Sequence, residues 1–71
     1  MNKPKLRSVM VLNGDKQADL AEALSIPESG VSARLDGKVD FRASEICKIV
    51  ERYHLSAEET FDIFFKEVAS Y

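Results

Sequence analysis

Apolar residues in this chain recur three and four positions apart, and no stretch alternates apolar with polar as a half-buried strand does. Turn formers cut that pattern into short pieces at Asn13-Gly14, at Ser25-Ile26-Pro27 and at Gly37. Short amphipathic helices bury their apolar stripes only by packing against one another. The spacing therefore predicts an all-α fold: one domain over residues 1–71, with five short helices joined by tight turns.

Leu6, Val9, Met10 and Leu12 place a first helix from about Lys3 to Asn13, with Pro4 tolerated in its opening turn. Asn13-Gly14 supplies the left-handed residue that ends it. Asp15 is expected to cap the second helix by accepting backbone N–H bonds. That helix buries Leu20, Ala21 and Leu24, and it stops near Ser25 because Pro27 disfavours helical geometry in the residue before it. A fourth helix, from about Ala43 to Tyr53, carries Ile46, Ile49, Val50 and Tyr53 on one face. Ser56-Ala57-Glu58-Glu59 is a capping box that opens a fifth. Its stripe is Phe61, Phe64, Phe65 and Val68, and Ile63 and Tyr71 fall off that stripe as an exposed patch for dimerisation or a protein partner.

The stretch "SIPESGVSARLDGK" looks unsuited to a helix, with Pro27 near its start and Gly30 in its middle. Proline is nevertheless at home in a first helical turn, and Gly37 stands where a C-terminal cap belongs. Gly30 costs such a helix about 1 kcal/mol relative to alanine, which packing must offset. A third helix over Pro27–Asp36 turns Val31 and Leu35 inward together. The opposite side presents Ser29, Ala33 and Asp36, with Gly30 and Ser32 flanking and Glu28 at the tip. Most of that face is small, as suits a helix that enters a groove. The second helix, a tight turn and this short helix make a helix-turn-helix.

Composition narrows the class. Leu, Ile, Val and Phe make up 20 of 71 residues, enough for a folded domain rather than a disordered chain. A chain this short buries only about 60% of the surface its unfolded form exposes, so its stability margin is thin. Cys47 stands alone, which rules out an internal disulfide. No apolar run approaches the roughly 18–20 residues of a membrane span. Met1-Asn2-Lys3-Pro4-Lys5 does not read as a signal peptide, so a cytoplasmic location in the host cell is expected, with no membrane partner.

"QADLAEALSIPESGVSARLDGK" resembles the Cro/C1-type helix-turn-helix of phage repressors and bacterial XRE regulators. Gln17 matches the family's glutamine at the start of helix two, Ala21 its close-contact alanine, and Val31 its aliphatic in the second helix. "LDGKVDF" with "SEICKIVERYHLSAEETFDIFF" is similar to small phage-encoded regulators of Gram-positive bacteria, and the likeness runs from Leu6 to Phe65. Ser25 departs from the family's usual turn glycine, and Pro27 replaces a residue that would cap the recognition helix. The resemblance implies a five-helix, lambda-repressor-like DNA-binding domain.

It also implies roles. The first turn of the recognition helix would meet base edges through Glu28, Ser29, Ser32 and Ala33. Gln17, Lys16, Arg34, Lys38 and Arg42 are the candidates for phosphate contacts. The helix dipole alone already favours a carboxylate at Glu28, and solvated surface charge accounts for most such cations. Arg34 lies beside the core face, where it reaches a phosphate, reaches a partner protein or covers Leu35 with its stem. His54 and Cys47 form neither a nucleophile–base pair nor a zinc site, and no phosphate-binding glycine loop is present. No enzyme activity, cofactor, metal or small-molecule substrate is expected.

Two functions remain. One is a Cro-like regulator that occupies operator DNA in a lysis–lysogeny switch, as a monomer or as a homodimer paired across its last helix. The other is a modulator or antirepressor that captures a phage repressor protein through Glu28, Arg34, Asp36, Ile63 and Tyr71. Charge speaks for the second: the net charge is −2 overall, with seven Lys/Arg against six Asp/Glu over residues 1–42 and three against six over 43–71. An antitoxin role is a third reading.

Overall fold

The structure, a computed structural model, describes residues 1–66. Helix α1 spans Lys3–Leu12, α2 Gln17–Leu24, α3 Glu28–Leu35, α4 Ala43–Tyr53 and α5 Ala57–Thr60. Helix α5 runs directly into a π-helical turn at Phe61–Phe65, and no strand occurs among the described residues. The fold is all-α, and none of the described helices is long and apolar enough to cross a membrane.

Helices α1 to α4 all end in the same way. Each is followed by a left-handed residue: Gly14 (φ 74°), Ser25 (φ 58°), Gly37 (φ 79°) or His54 (φ 52°). The next N–H then reaches back five positions, from Asp15 to Met10, Ile26 to Ala21, Lys38 to Ala33 and Leu55 to Val50, at 2.8–3.1 Å. These bonds satisfy carbonyls that the helices would otherwise leave open. Glycine takes this backbone freely, whereas Ser25 and His54 carry about 1–2 kcal/mol each for their Cβ atoms.

The core is one cluster. Leu6 and Met10 of α1, Leu20, Ala21 and Leu24 of α2, Val31 and Leu35 of α3, and Ile49 and Tyr53 of α4 are all buried. Leu12 is not part of it and is 82% exposed. Two positions past Met10 on a helix is more than half a turn, so Leu12 faces away from the stripe that Leu6 and Met10 define.

The C-terminal stripe is also displaced. Ile63, expected on the surface, is fully buried, while Phe61 and Phe65 are 44% exposed. The π-helical turn widens the helix by one residue, so positions read at a spacing of 3.6 arrive on the wrong face. Three contacts hold the turn in place. The Ile63 carbonyl accepts the Asn2 N–H at 2.6 Å, Asp62 pairs with Lys5 at 3.1 Å, and Phe64 meets Phe41 edge-on with centroids 5.8 Å apart. Val68 and Tyr71 lie outside the described residues.

Asp15 does not cap α2. The N-cap is Lys16, whose backbone N–H is taken by the Asp19 carboxylate at 2.8 Å. Asp15 instead clamps the far end of α4. It accepts two bonds from the Arg52 guanidinium, at 2.7 and 3.1 Å, and one from the Tyr53 hydroxyl at 2.7 Å. The Arg52 bonds hold the Asp15 carboxyl below its ordinary pKa against the opposing pull of burial, and Tyr53 adds to them. Burial, then the neighbouring Asp15 carboxylate, pushes the Tyr53 phenol up.

Asp15→Ala is therefore expected to cost about 2–3 kcal/mol, read from the urea midpoint. A lowered carboxyl pKa stabilises the fold above about pH 4, and that contribution is lost as pH falls through the folded-state value. A raised phenol pKa stabilises it below about pH 10, and that contribution is lost on further rise. The stability gap between wild type and variant should thus stay level near neutrality and narrow toward both extremes. Ser25→Gly, which removes the misplaced Cβ, should raise stability by about 1 kcal/mol in the same assay.

Candidate nucleic-acid interface

Helix α3 is held from beneath by Val31 and Leu35, which are 0% and 1% exposed. Its contacts are chiefly with α2, across the Ser25–Pro27 turn. No side chain caps its start, and Pro27 occupies the N-cap with extended backbone. Above the anchor, Glu28 and Ser29 are exposed, and Ser32 and Ala33 are half-buried. The four proposed base-reading residues thus lie along one short helix with no side-chain hydrogen bond among them. Gln17 opens α2 and is half-buried, with exposed Lys16 immediately before it.

Arg34 departs from its sequence assignment. Its guanidinium turns away from solvent and forms a two-point pair with Glu45 of α4, Nε to Oε1 at 2.9 Å and Nη2 to Oε2 at 3.2 Å. Nη1 donates to the Gly30 carbonyl at 3.0 Å. Both side chains are nearly sealed, at 10% and 7% exposure. Arg34 is therefore a brace between α3 and α4 and is withdrawn from both the phosphate-contacting and the partner-binding sets. Ile63, fully buried, leaves the partner-binding set as well.

The brace accounts for the glycine inside α3. A Cβ at Gly30 would lie 3.2 Å from Arg34 Nη1 and 3.5 Å from Ile26 Cδ1. Gly30 leaves room for the guanidinium to lie along the helix. Glu45 also accepts the Arg42 backbone N–H at 2.9 Å. Burial would push the Glu45 carboxyl up, but the Arg42 N–H and the Arg34 guanidinium together hold it below its ordinary pKa. The Arg42-x-x-Glu45 spacing at the start of α4 was the one sequence signal for this role.

Three candidate cations stay exposed: Lys16 before α2, Lys38 after α3 and Arg42 before α4. None enters an ion pair among the described residues. Lys38 is folded back over the end of α3 by its N–H to Ala33. Asp36, also exposed, pairs with Lys3 of α1 at 3.0 Å, a contact absent from the sequence reading. His54 caps α4, and Cys47 is exposed on the same helix.

Residues 5–67 match the model of a family described as a protein of unknown function, DUF739. The chain belongs to the DUF739 family. No curated protein and no solved structure matches it. For this DUF739 member, Arg34→Met should destabilise the fold by about 3 kcal/mol, because it strands the Glu45 carboxylate in a nearly dry site. Denaturant unfolding measures this. Replacing Glu45 by Met in the same chain should recover part of the loss.

Proposed function

We propose that this protein is a transcriptional regulator that binds DNA through α3 as a helix-turn-helix. The observation that carries this reading is the one-sided anchoring of α3. Val31 and Leu35 hold the helix from beneath, while exposed Ser29 and half-buried Ser32 and Ala33 keep its other side low. A slender helix supported from beneath fits the major groove, where serine pairs with several bases and alanine meets a thymine methyl. Lys16, Lys38 and Arg42 at the flanking helix ends are suited to phosphates on either side. Occupancy of operator sites in a Cro-like lysis–lysogeny switch is the biological setting that the sequence resemblance supports.

One observation favours a second reading, that of a modulator that captures a partner repressor. Arg34 is the only cation within α3, and its engagement with Glu45 leaves Glu28 as the exposed charge on that helix. An acid-tipped helix complements the basic DNA-reading surface of a repressor.

Anisotropy titration separates the two, with duplexes from the DNA flanking the protein's own gene, alone and with the adjacent repressor. The DNA reading expects binding without the repressor and a clear salt dependence. It also expects Ser29→Ala with Ser32→Ala to erode preference for the bound site by about 1–3 kcal/mol while leaving random-sequence affinity in place. Binding of the repressor and not of DNA would establish the modulator instead.

A further inference from the structure

The contact between the start of α1 and the end of α3 gathers charge that neither helix requires. Lys3 and Arg7 stand one turn apart on α1, on a common face. Lys3 reaches Asp36 at 3.0 Å across 33 positions of sequence, and Lys38 follows Asp36 on the turn that closes α3. The bond from Lys3, with the nearby charges of Lys38 and Arg7, holds the Asp36 carboxyl below its ordinary pKa, so all three cations bear on one carboxylate. Arg7 and Lys38 have no ion-pair partner among the described residues. Asp40 lines the same pocket as Lys3 and Asp36, so the neighbourhood holds three cations to two carboxylates, on a protein whose net charge is −2.

Asp36 is not explained by helix stability. It occupies the C-cap of α3, the end at which the macrodipole disfavours an anion. Nor does the ion pair add much to the fold, since both side chains are about two-fifths exposed, at 41% and 42%. What the carboxylate does accomplish is to place an anion among three cations at the rim of the α3 face.

We propose that Lys3, Arg7 and Lys38 form a seat for a DNA backbone phosphate beside the bases read by α3, and that Asp36 occupies this seat in the free protein as an internal competitor. The proposal rests on the DNA-binding reading above and extends it to α1, which that reading leaves without a role. On docking, Lys3 exchanges the Asp36 carboxylate for a phosphate oxygen. Asp36 thereby weakens binding to every sequence alike, and affinity then depends more heavily on base contacts.

The test is a salt series of anisotropy titrations on two duplexes of equal length, one flanking the protein's own gene and one of random sequence. Arg7→Ala and Lys38→Ala should each lower the slope of log affinity against log salt by about 1, equally on both duplexes. Asp36→Asn should tighten binding to both duplexes several-fold at low salt, and that gain should vanish in a Lys3→Ala background. Unfolding midpoints confirm that each variant is folded, and Lys→Gln replaces any Ala variant that is not. Unchanged slopes, or an Asp36→Asn gain that persists without Lys3, overturn the phosphate seat and leave the DNA reading standing. Failure of the wild type to bind either duplex at low salt overturns both.

Discussion

The pair between Arg34 and Glu45 fixes what the rest of the molecule can present. Burying a carboxylate and a guanidinium is unfavourable unless their geometry is good and their other hydrogen-bonding positions are filled. Here the two-point contact, the Gly30 carbonyl and the Arg42 N–H meet that condition. Apolar packing through Val31 and Leu35 holds α3 down, but it is non-directional and permits sliding and rotation. The ion pair adds direction. It sets α3 against the first turn of α4 at one angle, and a glycine at position 30 eases the close approach of the guanidinium to the helix.

That brace has an electrostatic consequence. The single cation of α3 is spent inside the fold, so the middle of the exposed face is nearly neutral and positive charge is left to the ends of neighbouring elements. Lys16, Lys38 and Arg42 each lie just outside a helix, and Lys3 and Arg7 lie on α1. A protein with a net charge of −2 has little long-range attraction for a polyanion. Any phosphate contacts it makes must come from local placement rather than overall charge.

The parts of this arrangement that were legible in the sequence are the local ones. Apolar spacing locates α1 to α4 to within a residue or two, Gly14 and Gly37 mark the ends of α1 and α3, and the Ser56–Glu59 box marks the start of α5. Val31 and Leu35 were read correctly as the underside of α3. Two of the misreadings involve partners distant in sequence, and the others the helical period. Asp15 reads locally as a cap for the neighbouring helix, but Arg52 and Tyr53 claim it across more than thirty positions. Arg34 reads as a phosphate or partner contact, or as a cover for Leu35, because nothing local names Glu45. Ile63 and Phe61 exchanged faces because a π-helical turn changes the period that the reading assumes. DNA contact by Glu28, Ser29, Ser32 and Ala33 came from family resemblance, and the fold supplies only their common position on α3.

Direct reading of DNA and capture of a repressor make the same demand on the centre of α3 and opposite demands on its surroundings. Small side chains at Ser29, Ser32 and Ala33 let the helix backbone come close to any opposing surface, base edge or protein. The surroundings discriminate. On α3 and beside it, Lys16, Lys38 and Arg42 are exposed without an ion-pair partner among the described residues, as are the acids Asp19, Glu22, Glu28 and Asp40. A basic partner would be repelled by the cations and attracted by the acids, whereas a phosphate backbone reverses both. Two further acids are engaged, Asp36 by Lys3 and Glu45 by Arg34. What favours phosphates is placement rather than excess charge: Lys16, Lys38 and Arg42 stand exposed at the helix ends that flank α3, and that is the physical reason to place the DNA reading first.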